Sequence, residues 1–267
     1  MKGLTRILVA ALATVISLSA LAGGHAGTAQ ADKQHAVLVT GANRGIGLEF
    51  VKQYADRGWL VIATTRKPEQ AEELNALASG NDNIVVEYLD LTDHEGIDAL
   101  AEKYKDQPID VLMNNAGLMK GPDKGQMVGS IDYDDFIWFY RVNAMGPLKV
   151  SEAFYPHVKA SEHKVMAALT TGKGKKGIPV PGFTLYKTSK AALDSIQKEI
   201  AIRWGRQGIK VVTLMPGRVL THGEKPNPRM ASVPVEDSVG GMIAVVDDLT
   251  MEQSGSTIQW DGELIED

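Results

Sequence analysis

The stretch AVLVTGANRGIG (residues 36–47) decides the fold, because an apolar segment runs directly into a glycine-rich turn. Its first five residues are aliphatic or β-branched and predict a buried strand. Gly41, Gly45 and Gly47 then let the backbone turn tightly and approach a bound group closely. A helix is expected to begin at about Ile46, with its N-terminus facing a pyrophosphate. The spacing is neither G-x-G-x-x-G nor that of a P-loop, so the turn by itself indicates a nucleotide site only in general terms.

Short apolar runs alternate with helix-like segments through the rest of the chain. The runs that predict strands are AVLVT (36–40), LVIATT (60–65), IVVEYL (84–89), DVLMNN (110–115), KVMAALT (164–170), KVVTLMP (210–216) and TIQW (257–260). Continuous apolar strands separated by helices are typical of a parallel sheet covered on both faces. We therefore predict a single-domain Rossmann-type α/β fold, a doubly wound parallel sheet of about seven strands flanked by helices. Such sheets bind ligands at the carboxyl ends of the strands, near the point where the strand order reverses.

Composition excludes several classes of function. The chain has 267 residues, of which 44% are hydrophobic, and a formal net charge of −5. Without the first 31 residues it carries 26 basic and 33 acidic residues, a net charge of −7, which argues against nucleic-acid binding. The absence of cysteine excludes disulfides, thiolate catalysis and cysteine-ligated metals. The six histidines are scattered, without a His-x-x-x-His pair, so we expect no metal site.

The N-terminus has the features of an export signal. Lys2 and Arg6 precede an apolar stretch over residues 7–22, and Ala29-Gln30-Ala31 forms an A-x-A cleavage pattern. We predict a signal peptide over 1–31 and a nucleotide-binding domain over 35–267. Cleavage after Ala31 would make the protein periplasmic or secreted. The alternatives are a wrongly assigned start codon or an uncleaved anchor, and the chain would then be cytoplasmic or membrane-anchored. The apolar stretch is shorter than the roughly 20 residues of a comfortable membrane span.

Six motifs occur in an order that is known from one family. They are TGANRGIG (40–47), DLTD (90–93), NNAG (114–117), RVNAMG (141–146), YKTSK (186–190) and PGRVLT (216–221). With them the chain resembles the short-chain dehydrogenase/reductases over nearly its whole length from Ala36 onward. The segment over 233–265 is similar to the C-factor-type carbonyl reductase branch, with its V-E-x-S-V-x-G-M helix and closing S-G-x-x-x-x-x-D-G strand.

The resemblance implies a set of cofactor-binding residues. They are Gly41, Asn43, Arg44, Gly45, Ile46, Gly47, Arg66, Asp90, Leu91, Asn115, Ala116, Gly117, Tyr186, Lys190, Pro216, Gly217, Val219 and Thr221. The second predicted strand ends in ATTRK, with no acidic residue to meet a ribose 2′-hydroxyl. Arg66 and Lys67 follow it instead, and Arg44 lies in the glycine turn, so we expect NADP(H) in preference to NAD(H). The alternative is that Arg66 is a solvated loop residue.

Tyr186 and Lys190 are the candidate catalytic pair. Four residues apart on a helix, they share a face, and an ammonium near a phenol favours the phenolate. The resemblance implies that Tyr186 acts as the general acid for reduction and that Lys190 lowers its pKa and holds the nicotinamide ribose. It also implies that Asn143 anchors a water linking Lys190 to solvent. The helix is expected to run from about Lys187 to Arg203, and in this family it often forms the seam of a homodimer.

The family's serine position is altered in this sequence. ALTTGKG (168–174) is best aligned with the family's apolar-Ser-Ser-x-x-Gly, which puts Thr171 at that position and keeps a hydroxyl. Thr170 is a second alignment, and a stricter count puts Lys173 there, with no hydroxyl. The loop lysines, Lys173, Lys175 and Lys176, form either a solvated loop or a patch that attracts anionic carbonyl substrates.

The motifs together predict an NADPH-dependent reductase of ketones or aldehydes, with a small-molecule carbonyl or alcohol as its partner. We expect no nucleic-acid partner and no membrane contact beyond an uncleaved signal. The rival hypothesis is a sensor that keeps the fold and the NADP(H) site but has lost catalysis. Export conflicts with the reductase hypothesis, because a reduced nicotinamide supply is expected in the cytoplasm.

Overall fold

The computed structural model describes residues 34–121, 125–172, 181–221 and 231–265. The predicted signal segment (1–31) lies outside these residues, as do Lys173, Lys175 and Lys176. The described strands are β1 (Ala36–Thr40), β2 (Leu60–Thr65), β3 (Ile84–Tyr88), β4 (Val111–Asn114), β5 (Val165–Leu169), β6 (Lys210–Met215), β7 (Thr257–Gln259) and β8 (Leu264–Ile265). All seven predicted strands are present. The first two match the prediction, the other five end one residue before the predicted end, and β4 and β5 also begin one residue later than predicted.

The strands form one sheet in the order β3-β2-β1-β4-β5-β6-β7-β8. Every neighbouring pair is parallel except β7 and β8, which are antiparallel. The order reverses between β1 and β4, so this is the doubly wound Rossmann-type sheet that the sequence predicts. The two-residue β8 was not predicted, because a strand of that length carries no periodicity; it follows a turn at Asp261-Gly262, where Gly262 has a φ of 89°.

Seven α-helices are described. They are α1 (Gly45–Asp56), α2 (Glu72–Ser79), α3 (His94–Lys103), α4 (Tyr133–Tyr140), α5 (Gly146–Ala160), α6 (Thr184–Trp204) and α7 (Val235–Asp247). A π turn (Arg141–Met145) joins α4 to α5, and short 3₁₀ turns cover Pro68–Gln70 and Gly205–Gln207. Within the described ranges, no helix combines the length and apolar character needed to cross a membrane.

Alternating residues of the central strands fill two separate cores. In β1, Val37 and Val39 pack with α1, α2 and α7, whereas Leu38 faces the other side of the sheet with α3, α5 and α6. Side chains of a strand point alternately to opposite faces, so a continuous apolar run buries both. The carboxyl ends of β1, β4 and β5 are thereby held rigidly at one edge of the sheet, where the candidate site lies.

Candidate active site

The glycine-rich turn lies at the carboxyl end of β1, next to the end of β4. Gly41 and Gly45 have φ angles of 67° and 56°, in the left-handed region that favours glycine. Asn115 Nδ2 donates to the carbonyl oxygens of Thr40 (2.8 Å) and Gly41 (3.0 Å). The Thr40 hydroxyl accepts a hydrogen bond from the Ala116 N–H at 3.0 Å. The loop after β4 therefore fixes the turn, leaving the N-terminus of α1 in place for an anion.

Gly47, in the first turn of α1, has no room for a side chain. A Cβ at this position would overlap the Gly41 carbonyl oxygen and lie 2.5 Å from Asn115 Nδ2. We expect Gly47→Ala to lower the free energy of unfolding by about 2–3 kcal/mol, because the backbone must shift to admit the methyl group. Urea unfolding followed by circular dichroism measures the change.

The matched control is Gly80→Ala at the end of α2. A Cβ there would lie 3.8 Å from its nearest neighbour, the Leu77 carbonyl oxygen, an ordinary contact distance. Its unfolding midpoint is expected to stay near that of the wild type. Equal stability of the two variants would show that the turn can relax around Gly47.

The residues predicted to meet the adenine lie at the carboxyl end of β3. Asp90 Oδ1 accepts hydrogen bonds from the Thr92 N–H and hydroxyl, both at 2.8 Å, which fixes this half-buried carboxylate in a turn. Leu91 is buried, and a Cβ at Gly146 would lie 2.6 Å from Leu91 Cβ. This close approach holds the loop after β3 against the start of α5.

Arg44 and Arg66 flank the expected position of a cofactor 2′-phosphate. Arg44 lies in the glycine turn, Arg66 follows the last residue of β2, and both are exposed. Neither guanidinium forms an ion pair or hydrogen bond with the residues that the structure describes. Both therefore have their donors available to a phosphate.

Asn143 lies in the π turn between α4 and α5, and the backbone stays helical on both sides of it. The local sequence explains the turn. Pro147 has no N–H with which to bond the Asn143 carbonyl four residues earlier, and its ring crowds that carbonyl. The Gly146 N–H bonds the Arg141 carbonyl, five residues back, in place of the α-helical partner. Single π turns of this kind are frequent at functional sites.

The Asn143 side chain is buried and connects the loop after β4 to α6 by hydrogen bonds. Its Oδ1 accepts from the Leu118 N–H at 2.6 Å, and its Nδ2 donates to the Leu118 carbonyl (2.9 Å) and to Ser189 Oγ (3.0 Å). Both amide hydrogens are thus used within the protein. The side chain of Asn143 thus has a positioning role, and the anchoring of a water that links Lys190 to solvent stays a prediction.

Helix α6 carries both Tyr186 and Lys190. It begins at Thr184, three residues earlier than predicted, because Gly182 (φ 71°) and Phe183 (φ 55°) turn the chain sharply into the helix. A left-handed conformation is unusual for an aromatic residue and indicates that the loop is held under strain next to the site.

Thr171, rather than Thr170, lies against Tyr186. The Thr171 side chain hydrogen-bonds the Tyr186 hydroxyl. The Thr170 side chain is buried, and its hydroxyl has no hydrogen-bond partner in the part of the chain that the structure describes. Lys190 Nζ donates to the Leu169 carbonyl at 2.7 Å, so the end of β5 holds both the hydroxyl and the ammonium.

Gly117 lies at the point where the loop after β4 meets this pair. A Cβ on Gly117 would lie 3.4 Å from both Lys190 Nζ and Asn143 Oδ1. The structure therefore brings Tyr186, Lys190, Asn143 and Thr171 together at the carboxyl ends of β4 and β5.

Burial changes the pKa values of Tyr186 and Lys190. It raises the pKa of Tyr186 to about 12, against a smaller lowering by the Thr171 hydrogen bond, and nearby Asp194 raises it further. Burial lowers the pKa of Lys190 to about 8, partly offset by Asp194. The direction for Tyr186 is opposite to the sequence-based expectation, because desolvation of the phenolate outweighs the stabilisation that a neighbouring ammonium was expected to give.

Two further residues position Tyr186, and the sequence analysis missed both. The fully buried Gln126 accepts the Tyr186 N–H on Oε1 (3.0 Å) and donates from Nε2 to the carbonyls of Lys120 (2.6 Å) and Gly121 (3.0 Å). Ser189 Oγ, which accepts from Asn143, donates to the Tyr186 carbonyl at 2.8 Å. Ser189 could have been noticed as a polar residue inside the YKTSK motif, but nothing local marks Gln126.

The segment after β6 lies at the same edge of the sheet as the loop after β5, because the two strands are parallel neighbours. Ser238 Oγ donates to the Pro216 carbonyl at 2.7 Å, and Val219 pairs with Val233 in a parallel bridge. Gly217 has a φ of 77°, and a Cβ there would lie 3.1 Å from the Trp260 ring. The beginning of α7 therefore holds this segment at the edge of the sheet.

Thr221, also predicted to bind the cofactor, is the last residue that the structure describes before residue 231.

The comparisons with known proteins agree with the fold and the motifs. A family model described as short chain dehydrogenase matches residues 35–231. An uncharacterised oxidoreductase of Schizosaccharomyces pombe is 32% identical over 248 residues, covering 85% of this chain and 96% of that protein. C-signal of Myxococcus xanthus is 33% identical over 156 residues, covering 58% of this chain and 90% of that protein.

Solved structures with the same fold include carbonyl reductases. The NADPH-bound carbonyl reductase from chicken fatty liver has a TM-score of 0.80 and is 31% identical in sequence. The match covers 87% of this chain and 99% of the reductase chain. Carbonyl reductase Sniffer of D. melanogaster has a TM-score of 0.79 and 27% identity, covering the same shares. The chain belongs to the short-chain dehydrogenase/reductase family, in its carbonyl reductase branch.

Proposed function

We propose that this oxidoreductase reduces a ketone or aldehyde with NADPH, using Tyr186 as the general acid. One observation carries the proposal: the Tyr186 hydroxyl is hydrogen-bonded to Thr171 at the end of β5, on the helix face that also presents Lys190. A donor, a second hydroxyl and a cation are thereby gathered at the edge of the sheet where the glycine turn would hold the cofactor.

The residues of the turn fit a dinucleotide. Gly41 and Gly47 let the turn fold tightly, because a Cβ at either position would collide with Ala116 or with the Gly41 carbonyl oxygen, and Asn115 fixes the turn by two hydrogen bonds. NADPH, when bound, supplies the hydride. The protein would supply the proton from Tyr186 and the orientation of the carbonyl oxygen through the Thr171 hydroxyl. Asn143 and Ser189 would fix the position of helix α6 relative to the loop after β4.

The protonation state of the pair suits the role of proton donor that reduction requires. With a pKa of about 12, Tyr186 is a protonated phenol at neutral pH, the form in which it can donate a proton. Lys190, with a pKa of about 8, is mostly charged at pH 7, and a cation favours the developing phenolate. Removal of a proton from an alcohol would need the phenolate, which at neutral pH is the minor form of a phenol with this pKa.

Cofactor choice rests on Arg44 and Arg66. Their guanidinium groups are exposed, and neither has a partner in the described ranges, whereas no acidic side chain follows β2 to meet a free ribose. The double variant Arg44→Ala/Arg66→Ala is expected to weaken NADPH binding by about 100-fold, because two charge-assisted contacts with the phosphate are lost. Binding of NADH should change less than about threefold.

Fluorescence titration of both cofactors measures this preference. Arg206→Ala, in the 3₁₀ turn after α6, is the control for removing an exposed guanidinium away from the glycine turn. Comparable NADH and NADPH affinities in the wild type would contradict the proposed preference.

The experiment that tests the function is NADPH oxidation by the purified protein with a panel of aldehydes, ketones and quinones. The proposed reductase oxidises NADPH only when a carbonyl substrate is present. Tight NADPH binding without turnover on any member of the panel would favour the second candidate, a nucleotide sensor. The observation that favours the nucleotide sensor is that Thr171 stands where the family has a serine.

A further inference from the structure

A second cluster of chemically active side chains lies at the opposite edge of the sheet. His35 directly precedes β1, Asp110 directly precedes β4, and His163 lies in the turn before β5. These three residues form the His/Asp cluster. It is at the amino ends of the strands, whereas the active site is at their carboxyl ends. The five residues of β1 separate the two edges by about 15 Å, so the cluster takes no part in hydride transfer.

The three side chains converge on one point. One ligand atom from each residue lies within 4.8 Å of the other two, and His35 Nδ1 is 3.4 Å from Asp110 Oδ1. Ligands of a tetrahedral zinc ion with bonds of 2.0–2.1 Å are about 3.3 Å apart. The His35–Asp110 pair already has this spacing, and a small rotation of the His163 ring would complete the set.

Asp110 is held in place by backbone N–H groups rather than by the two imidazole rings. Its Oδ2 accepts from the Ala36 N–H at 2.9 Å, and its Oδ1 receives the N–H groups of Glu162 and His163 at 3.3 Å. The latter two bonds are longer than an optimal N–H···O bond, so Oδ1 retains acceptor capacity. A carboxylate oriented by backbone donors is the arrangement that supports a metal ligand.

The two imidazoles are also held by packing. Trp59 contacts both rings, at 5.1 Å from the His35 centroid and 5.3 Å from the His163 centroid, and the two histidine rings lie 4.6 Å apart. The aspartate is buried and both histidines are half-buried. An ion bound here would therefore have protein ligands on its inner side and water on its outer side.

We propose, in contrast to the expectation from the sequence, that the His/Asp cluster binds a divalent transition-metal ion, with zinc as the reference ion. Two imidazole nitrogens and one carboxylate oxygen suit zinc, nickel or copper, whereas calcium and magnesium prefer oxygen ligands alone. The ion would tie the beginning of β1 to the start of β4 and to the turn after α5. Residues 35 and 163 are distant in sequence, so the ion would close a long loop and stabilise the folded chain.

Zinc titration of the full-length protein without an affinity tag, in a buffer free of chelators, tests this site. Calorimetry and elemental analysis after gel filtration are expected to find one zinc per chain. A saturating excess of about 100 Kd should raise Tm by about 5 °C. Cobalt(II) serves as a spectroscopic probe, because its visible absorption reports nitrogen ligands and low coordination number.

The variants are His35→Ala and His163→Ala, with His94→Ala as the matched control. His94 is an exposed histidine at the start of α3, outside the cluster. Each cluster variant is expected to weaken zinc binding at least 10-fold and to abolish the Tm shift, whereas His94→Ala retains both. His163→Gln, which keeps a polar side chain, covers the case in which His163→Ala fails to fold.

Two results would overturn the proposal. One is the absence of zinc binding at 100-fold molar excess, which would leave the His35–Asp110 contact without a role in metal binding. The other is a zinc site that survives both cluster substitutions, which would place the ion elsewhere in the chain. Neither result depends on NADPH oxidation, so the zinc site and the proposed function can fail separately.

Discussion

Tyr186→Phe is expected to lower kcat/KM for carbonyl reduction by about 10²–10⁴-fold, while the Kd for NADPH changes less than about threefold. The substitution removes only the hydroxyl that donates the proton and that Thr171 hydrogen-bonds. Without it, the developing alkoxide loses its proposed proton donor. Steady-state NADPH oxidation and a fluorescence titration of NADPH measure the two quantities on the same preparation.

Tyr54→Phe is the matched control for loss of a buried hydroxyl. Tyr54 is fully buried in α1, and its hydroxyl has no hydrogen-bond partner among the residues described by the structure. Activity and cofactor affinity are expected to remain at wild-type values in this variant. Substantial turnover by Tyr186→Phe would remove the phenol from the mechanism and require another proton donor at the end of β5.

Lys190→Met is expected to lower kcat/KM by about 10³-fold without weakening the fold of the cofactor-free protein. Burial of the ammonium, which has a single described hydrogen bond to the Leu169 carbonyl, lowers the pKa of Lys190 to about 8. Charging this buried group at neutral pH costs the folded state about 3 kcal/mol relative to an unfolded lysine. Methionine avoids that cost and leaves one carbonyl unpaired, so the free energy of unfolding should stay equal or rise.

The pH dependence of the free energy of unfolding separates the cost of burying the Lys190 charge from changes in side-chain packing. Between pH 8 and about 10.5 the unfolded chain keeps a proton on Lys190 that the folded chain has lost, so the free energy of unfolding rises with pH. This contribution should raise the free energy of unfolding of the wild type relative to that of Lys190→Met over this pH range. Lys159→Met, at an exposed position near the end of α5, controls for loss of a surface charge. A variant that loses stability together with activity would indicate a structural role for Lys190.

The two substitutions also distinguish the candidate functions. A reductase loses turnover in both variants, with NADPH binding weakened mainly in Lys190→Met. A nucleotide sensor has no turnover to lose, and only its cofactor affinity would respond.

The sequence alone determined the sheet and the edge at which the site lies. Apolar runs such as AVLVT and LVIATT predict strands because both faces of a parallel sheet are buried, and the two predicted strands match the observed ones residue for residue. The glycine turn, Tyr186 and Lys190 were also visible, because their functions depend on spacing within one turn or one helix.

Only the tertiary structure decided which hydroxyl meets Tyr186. Thr170 and Thr171 are neighbours that sequence alignment leaves as alternatives, and the end of β5 directs Thr171 to the phenol. The contact of Gln126 with the Tyr186 N–H joins residues 60 positions apart, and the His/Asp cluster joins three strand ends. The raised pKa of Tyr186 likewise depends on the surrounding atoms that exclude water. Local patterns report backbone conformation, whereas contacts and desolvation arise from the packing of segments distant in the chain.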